Sequence, residues 1–465
     1  MTPGRSKLEI LTALHLALLG VFASWTFGGG SDWAVTAISC IGSLAPLLTL
    51  AALRERRAEK VPSATTLYLL IPWLIFNLLV LLSLLQPALR IVTIEGGSVF
   101  APRGDLSAWP CNARPELALK ELWLFNAISL SAFNLLLAIR HRRTLRELLL
   151  FLTANALLLA VFGSFQKFTH ASGIFFGLVP SPNSTFFASF IYHNHWGAFA
   201  VLMLSVSLGL LFNLRPWTGY RDFWHSPAVA AVVAIFFLGV TIPLSTSRSC
   251  TMLAILLLTA GLIQGLRRVF RHHKEQGRST AMPGFFLILT GIVALALAYF
   301  LARPMIEERI TDTQEQISHM RKIGGLGARA QLYGDTWRMA NDRPWFGWGL
   351  GSYGTVFTFY NNQHASDNLP QHYEDAHSDW LQLLAEVGAI GTTLFLSFLF
   401  CPLLLIRRSP EITSLPRYLF AGCGLILLYA GIEFPFGNPA VTLFFWISFF
   451  CAVRWTRMEM HERPS

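Results

Sequence analysis

The stretch that decides the fold runs AVAAVVAIFFLGVTIPL from Ala228 to Leu244, then Ser245-Thr246-Ser247-Arg248-Ser249, then CTMLAILLLTAGLIQGL from Cys250 to Leu266. Two uncharged apolar runs flank five polar residues. At a helical rise of about 1.5 Å per residue each run crosses most of a hydrocarbon core roughly 30 Å thick, so the five residues form a hairpin at one membrane face. An arginine at that rim is costly to desolvate. Its planar guanidinium is, however, well shaped to grip an anion such as a lipid-linked phosphate.

The same pattern recurs along the chain. Its 465 residues are 53% hydrophobic and only 13% charged, with 37 Phe and 14 Trp; this excludes an ordinary soluble domain and points to an all-α polytopic membrane protein. Apolar runs of spanning length fall near 8–28, 33–53, 65–86, 119–139, 147–168, 195–213, 228–244, 250–266, 282–302, 385–406, 417–432 and 439–455. They predict about twelve transmembrane helices with both termini on one side. The first run has no small-residue cleavage site and is followed by many others, so a retained helix is expected there.

Lys and Arg assign the sides, because short cytoplasmic loops keep positive charge. Of the 36 Lys and Arg, 23 fall on the N-terminus, 54–60, 140–146, 215–221, 267–278, 407–417 and the C-terminus, all on one side of the predicted spans. Seven more lie within 303–343, a long outward segment of the kind the rule exempts. Both termini are therefore expected to be cytoplasmic, and the Arg248 hairpin outward. The net charge of +10 then follows from topology, and no nucleic-acid partner is expected.

Three outward segments exceed a simple turn: 87–118, 169–194 and 303–384. The chain thus divides into spans with short loops over 1–302, a large outward loop over 303–384, and final spans with a tail over 385–465. Within the large loop the composition predicts a polar helix from about Met305 to Lys322, a break at Gly324-Gly325-Leu326-Gly327, and a second helix from about Ala328 to Asn341. Asp342-Arg343-Pro344 ends it, since the residue before a proline disfavours the helical region. Helical spacing returns from about Glu374, with His377, Leu381 and Leu384 on one face and Gly388 placed to interrupt it. No short-period repeat is evident, which sets solenoids and coiled coils aside. The six cysteines lack paired spacing, so neither a disulfide framework nor a cysteine zinc site is suggested.

Several outward residues could carry chemistry. Arg329 follows the glycine break at the expected first turn of a helix, where free amides and a guanidinium together favour an anion; taken alone, it better fits a surface arginine, solvated or loosely paired with a carboxylate, and only its company points to a site. His377, in Asp375-Ala376-His377-Ser378-Asp379-Trp380, sits where the loop returns to the membrane. Its acidic neighbours fit either a structural histidine or an oriented proton-transfer group. Phe190-Ile-Tyr-His-Asn-His-Trp-Gly197 gathers His193, Asn194 and His195 at the outward interface. Side chains at i and i+2 diverge on a helix, so hydrogen bonding through Asn194 and a Trp196 anchor are expected there, with no metal.

Glu433, in the last outward turn, is a weaker candidate for the same cavity. Glu386 and Gln382, near the start of a span, fit a partner or capping role. Gly349-Leu-Gly351-Ser-Tyr-Gly354 matches the spacing of a dinucleotide fingerprint, but no strand precedes it. Its glycines are expected instead to fold an outward loop tightly among Trp345, Trp348 and Tyr353, aromatics suited to sugars or to the interface.

Taken in order, these segments resemble the bacterial O-antigen ligases and the related O-antigen polymerases. The resemblance runs from Phe190–Gly197 through Ser247-Arg248-Ser249, Arg329-x-x-x-Tyr333-Gly-x-Thr-Trp337, Arg343-Pro-Trp-Phe-Gly-Trp-Gly349, Ala376-His377-Ser378-Asp379-Trp380-Leu381 and Glu386-x-Gly388-x-x-Gly391. It covers roughly 190–406. The first half matches only in helix count and hydropathy.

That resemblance implies an inverting glycosyltransferase of the GT-C type, independent of metal and cofactor, in the bacterial inner membrane and working on its periplasmic face. The implied donor is a glycan on undecaprenyl diphosphate. The implied acceptor is a sugar of lipid A–core in ligases, another lipid-linked repeat in polymerases, or a hydroxyl on protein in a third branch. By position, Arg248 and Arg329 would hold the donor diphosphate and His377 would assist at the acceptor hydroxyl or leaving group, with Asn194, His195, Tyr333 and Glu433 as further substrate contacts. A lipid-linked oligosaccharide transporter or flippase is the competing class on topology. Transporters, however, usually bind substrate near the midplane on broken helices, whereas the polar clusters here gather on one face.

Overall fold

The computed structural model describes residues 5–59, 64–94, 97–103, 109–214, 226–275, 328–362, 372–409 and 411–462. The predicted span 282–302, the polar helix from Met305 to Lys322 and the glycine break at 324–327 lie outside the described residues. The principal helices are α1 (Lys7–Trp25), α2 (Asp32–Gly42), α3 (Ala45–Ala58), α4 (Ile71–Ser83), α5 (Pro115–Ala138), α6 (Arg142–Phe168), α7 (His193–Asn213), α8 (Pro227–Leu244), α9 (Arg248–Glu275), α10 (Ala328–Asp342), α11 (Asp379–Phe400), α12 (Ser414–Tyr429) and α13 (Pro439–Glu462). Among the described residues, nine helical segments are long and apolar enough to cross a membrane, α2 and α3 together making one of them. The segments around α4 and α12 are apolar but shorter. The expectation of twelve spans therefore rests, for its remainder, on these two short helices and on the run at 282–302.

The α8–α9 pair shows how sequence sets the hairpin. Pro227 at the first turn and the Ser226 side chain, which accepts from Ala228 N at 3.0 Å, start α8. After Leu244 the chain reverses through Thr246, whose φ is +68°, and Arg248 already opens α9. The polar link is thus shorter than the five residues suggest.

Helices α7 and α13 lie at the centre, buried over most of their apolar length, and α7 packs against α8 and α12 while α13 packs against α5. A helix apolar all round suits such a position. On α12, Gly422 lets the backbone close on α7, where any Cβ would meet the Ser205 side chain. At the opposite end from the Arg248 hairpin, Arg56 donates to the carbonyls of Leu136 and Leu137 at 3.0 and 2.8 Å, and Arg454 to that of Ile139 at 2.7 Å. These guanidiniums satisfy the last carbonyls of α5, so part of the topological charge also caps a helix.

On the hairpin side, segment 87–118 contains a two-stranded antiparallel hairpin, β1 (Leu89–Ile94) with β2 (Gly97–Pro102), in the register Leu89↔Pro102. The β-branched run Ile91-Val92-Thr93-Ile94 favours it. Its base joins the large loop: Ala113 N donates to Trp348 O at 2.9 Å, and Ala88, Leu89 and Cys111 share a small core with Leu332, Met339, Trp348 and Tyr353. This second core fixes the loop above the bundle.

The large loop is tied down again at Gly388. That residue interrupts α11 with φ 64° and ψ −173°, a region open essentially to glycine. A Cβ there would collide with the backbone of Trp345 and Phe346. Gly388→Ala is expected to destabilise the fold by at least about 1–3 kcal/mol from backbone strain alone. Thermal unfolding in detergent measures this, and an unchanged midpoint would show that the break is not needed.

Candidate active site

Glu433 is the residue on which the site is built. It lies in the turn between α12 and α13 and is only 2% exposed. A buried carboxylate is tolerated only with charge partners and hydrogen bonds, and three segments supply them. Arg329, on α10, forms an ion pair with Oε1. Asn194, at the start of α7, donates to the same oxygen at 3.1 Å. The Nδ1 of His377 lies 3.4 Å from Oε2. Burial works to raise the Glu433 pKa, but the His377 hydrogen bond and the Arg329 charge outweigh it and hold the carboxyl below the usual glutamate value.

The neighbours are themselves fixed. Asn194 Nδ2 also donates to Tyr192 Oη at 2.8 Å, while its Oδ1 accepts from Ser247 Oγ at 2.6 Å. A chain of side chains thus runs from Glu433 through Asn194 to Ser247, the residue directly before Arg248 and α9. Arg248 is exposed at that helix start. Tyr333, one turn along α10 from Arg329, donates to the carbonyls of His377 and Ile432 at 2.9 and 3.2 Å. Burial raises the Tyr333 pKa, the Arg329 charge opposes the rise and the Glu433 charge adds to it.

His377 is not on the helix face that its spacing suggests. Ser378 caps α11, and His377 precedes the cap with φ +50°, a conformation that costs a non-glycine residue energy and collects at functional sites. Its ring stands edge-on to Phe434, 4.8 Å between centroids, and Phe434 also stacks on Tyr192 and meets His195. The imidazole partner is Glu433, from a distant part of the chain; the flanking Asp375 and Asp379 do not fill that place. Asp379 instead ties the same turn down, its N–H donating to Glu433 O at 3.2 Å and its Oδ2 accepting from Phe436 N at 3.0 Å.

The structure therefore brings together Asn194, Tyr333, His377, Arg329 and Glu433, with His195 bonded to the Phe434 carbonyl at 3.2 Å and Arg248 one residue beyond Ser247. Arg329 is engaged with Glu433, yet its side chain remains 52% exposed, leaving N–H groups for an anion. His193 and His195 diverge as their spacing requires: His193 Nδ1 pairs with Thr185 Oγ1 at 2.7 Å. Among the described residues, no group of three His, Cys, Asp or Glu is placed to hold a metal ion.

The glycine-rich loop is structural. Gly347, Gly349 and Gly351 all have positive φ, and the Glu386 carboxylate accepts from the amides of Gly351 and Tyr353 at 3.0 Å each. Glu433, ranked low in the sequence, is the common partner of the others. The signal was present: a lone carboxylate between two apolar runs at the membrane rim is as costly as Arg248.

These elements define a polytopic α-helical membrane protein with a charged site where its helices meet a large loop. Residues 232–396 match the family model described as O-antigen ligase, a match that supports the resemblance to the O-antigen ligases and polymerases. The matched span contains Arg248, Arg329, Tyr333 and His377, while Asn194, His195 and Glu433 lie outside it. No curated protein matches the chain.

Proposed function

We propose that the protein is a membrane glycosyltransferase that moves a glycan from undecaprenyl diphosphate to an acceptor hydroxyl, such as a sugar of lipid A–core or another lipid-linked repeat, at the periplasmic face of the inner membrane. The observation that carries this reading is the pairing of His377 with Glu433 beside Arg329. A hydrogen bond from His377 Nδ1–H to Glu433 leaves Nε2 with its lone pair as the base. The acceptor O–H gives its proton to Nε2 as its oxygen attacks the anomeric carbon. The bond to the diphosphate breaks on the opposite face, so the configuration inverts. Arg248 and Arg329 hold the departing diphosphate, whose charge fixed guanidiniums stabilise without a metal.

Purified protein in nanodiscs, given an undecaprenyl-diphosphate oligosaccharide and an acceptor, is expected to release undecaprenyl diphosphate and glycosylated acceptor. Donor that crosses a vesicle bilayer intact, without transfer, would overturn the enzyme reading in favour of a flippase. Addition of a chelator is expected to leave turnover unchanged; loss restored by a divalent ion would remove the metal-free mechanism. The Lys and Arg distribution supports the side assignment. A reporter fused after Ser352 is accordingly expected to read as periplasmic, and a cytoplasmic signal would sink both the topology and the site.

A further inference from the structure

Beside the Glu433 site lies a chamber of about 920 Å³. Its walls join the site directly: Asp375, Gln382 and Phe436 line it, while Asp375 is two residues from His377 and Phe436 N bonds the Asp379 that holds the Glu433 turn. Arg248, Arg329, His377 and Glu433 do not line it. The chamber is therefore a separate compartment on the Asp375 side of the histidine.

Its lining has two characters. Aromatic rings, among them Phe100, Phe359 and Phe436, supply flat apolar surface. The ionisable groups are mainly carboxylates: Asp32, Glu121, Glu374, Asp375 and Glu386, against Arg114 and His372. Asp32 pairs with Lys120, and Glu386 is taken up by loop amides. Arg114 donates to Thr355 Oγ1 at 3.1 Å and lies over the Phe100 ring. Glu121 differs from these. It is exposed along the chamber wall, and its neighbours act on it only through charge and burial, with no hydrogen bond to a described residue. Ser31 Oγ, on another wall, is buried and also without a hydrogen-bond partner among the described residues.

We propose that this chamber receives the terminal sugar of the acceptor and selects one without phosphate, a neutral or amino sugar. The inference rests on the glycosyl-transfer reading above. Sugar faces pack on aromatic rings, and hydroxyl or ammonium donors suit Glu121 and Asp375, which as carboxylates only accept. A volume of this size falls in the range of small-ligand pockets and accommodates a sugar ring or two. A phosphorylated sugar would meet carboxyl groups there in place of the cations that a phosphate needs, which discriminates between acceptors. Donor and acceptor are thus sorted by charge: guanidiniums on one side of His377, carboxylates on the other.

The test uses the full chain in nanodiscs with three acceptor probes: oligosaccharides ending in N-acetylhexosamine, in hexosamine and in hexosamine 6-phosphate. Wild type is expected to prefer the two unphosphorylated probes. Glu121→Gln and Asp375→Asn are expected to raise acceptor KM about tenfold or more, the scale of a lost charged hydrogen bond, with donor KM unchanged. Glu121→Arg is expected to shift preference toward the phosphorylated probe. Saturation-transfer NMR with the same probes reads binding independently of turnover. If wild type transfers or binds all three probes equally, or if the variants keep wild-type acceptor KM and preference while transfer proceeds, the chamber assignment is overturned. Wild type that binds the unphosphorylated probes yet never releases undecaprenyl diphosphate would instead sink the transfer reading and leave a sugar-binding chamber.

Discussion

Glu433→Gln is expected to lower transfer by about 10²-fold or more, the scale of a lost general-base arrangement. The amide can still accept from Asn194, but it no longer attracts Arg329 as a carboxylate does. His377 would then lose the partner that sets which ring nitrogen bears the proton. His377→Ala alone is expected to cost about 10²–10⁴-fold, and the double variant little more, because residues acting as one unit are not additive. Full turnover in Glu433→Gln would remove the carboxylate from the mechanism and leave its burial as a structural fact.

The same residue predicts a pH dependence of stability. Its folded-state pKa lies below the ordinary glutamate value, so its contribution is complete above about 4.3, the unfolded value, and is lost as pH falls through the lower folded value. Acid unfolding of wild type is therefore expected to be steeper over that interval than unfolding of Glu433→Gln. Equal slopes for the two proteins would show that the carboxylate is not held in the ionised form by Arg329 and His377.

How much was legible in the sequence differs by length scale. Spans such as Ala228–Leu244 are readable because a bilayer imposes a length and excludes charge, both local properties. Gly388 was readable for the same reason: a glycine inside a helical pattern marks a break. The Glu433 network was not, because it joins residues from α7, α10, the start of α11 and the α12–α13 turn, and no periodicity links them. Hairpin β1–β2 was overlooked for a different reason. It is a single short ribbon in a helical protein, and its packing against Trp348 depends on tertiary contact. His377 illustrates both limits: its place where the loop returns to the membrane was visible, but its left-handed backbone and its Glu433 partner were not.

Arg248→Ala and Arg329→Ala are each expected to reduce transfer by about 10²–10³-fold, the scale of removing one fixed donor to a developing charge. The two should differ in what else they disturb. Arg329 also neutralises a carboxylate that is 2% exposed, so its loss leaves Glu433 buried with only His377 and Asn194 and should lower the thermal midpoint as well. Arg248 is exposed at the start of α9, so its loss should lower the thermal midpoint less than loss of Arg329 and act mainly on donor. Lysine should rescue neither fully, since an ammonium cannot grip two phosphate oxygens as a planar fork does. Arg248→Lys is therefore expected to keep a weakened donor affinity that falls further with salt, as a point charge is screened more readily than a bidentate contact. Wild-type donor KM and turnover in Arg248→Ala would detach the hairpin from the diphosphate and leave Arg329 as the sole guanidinium of the site.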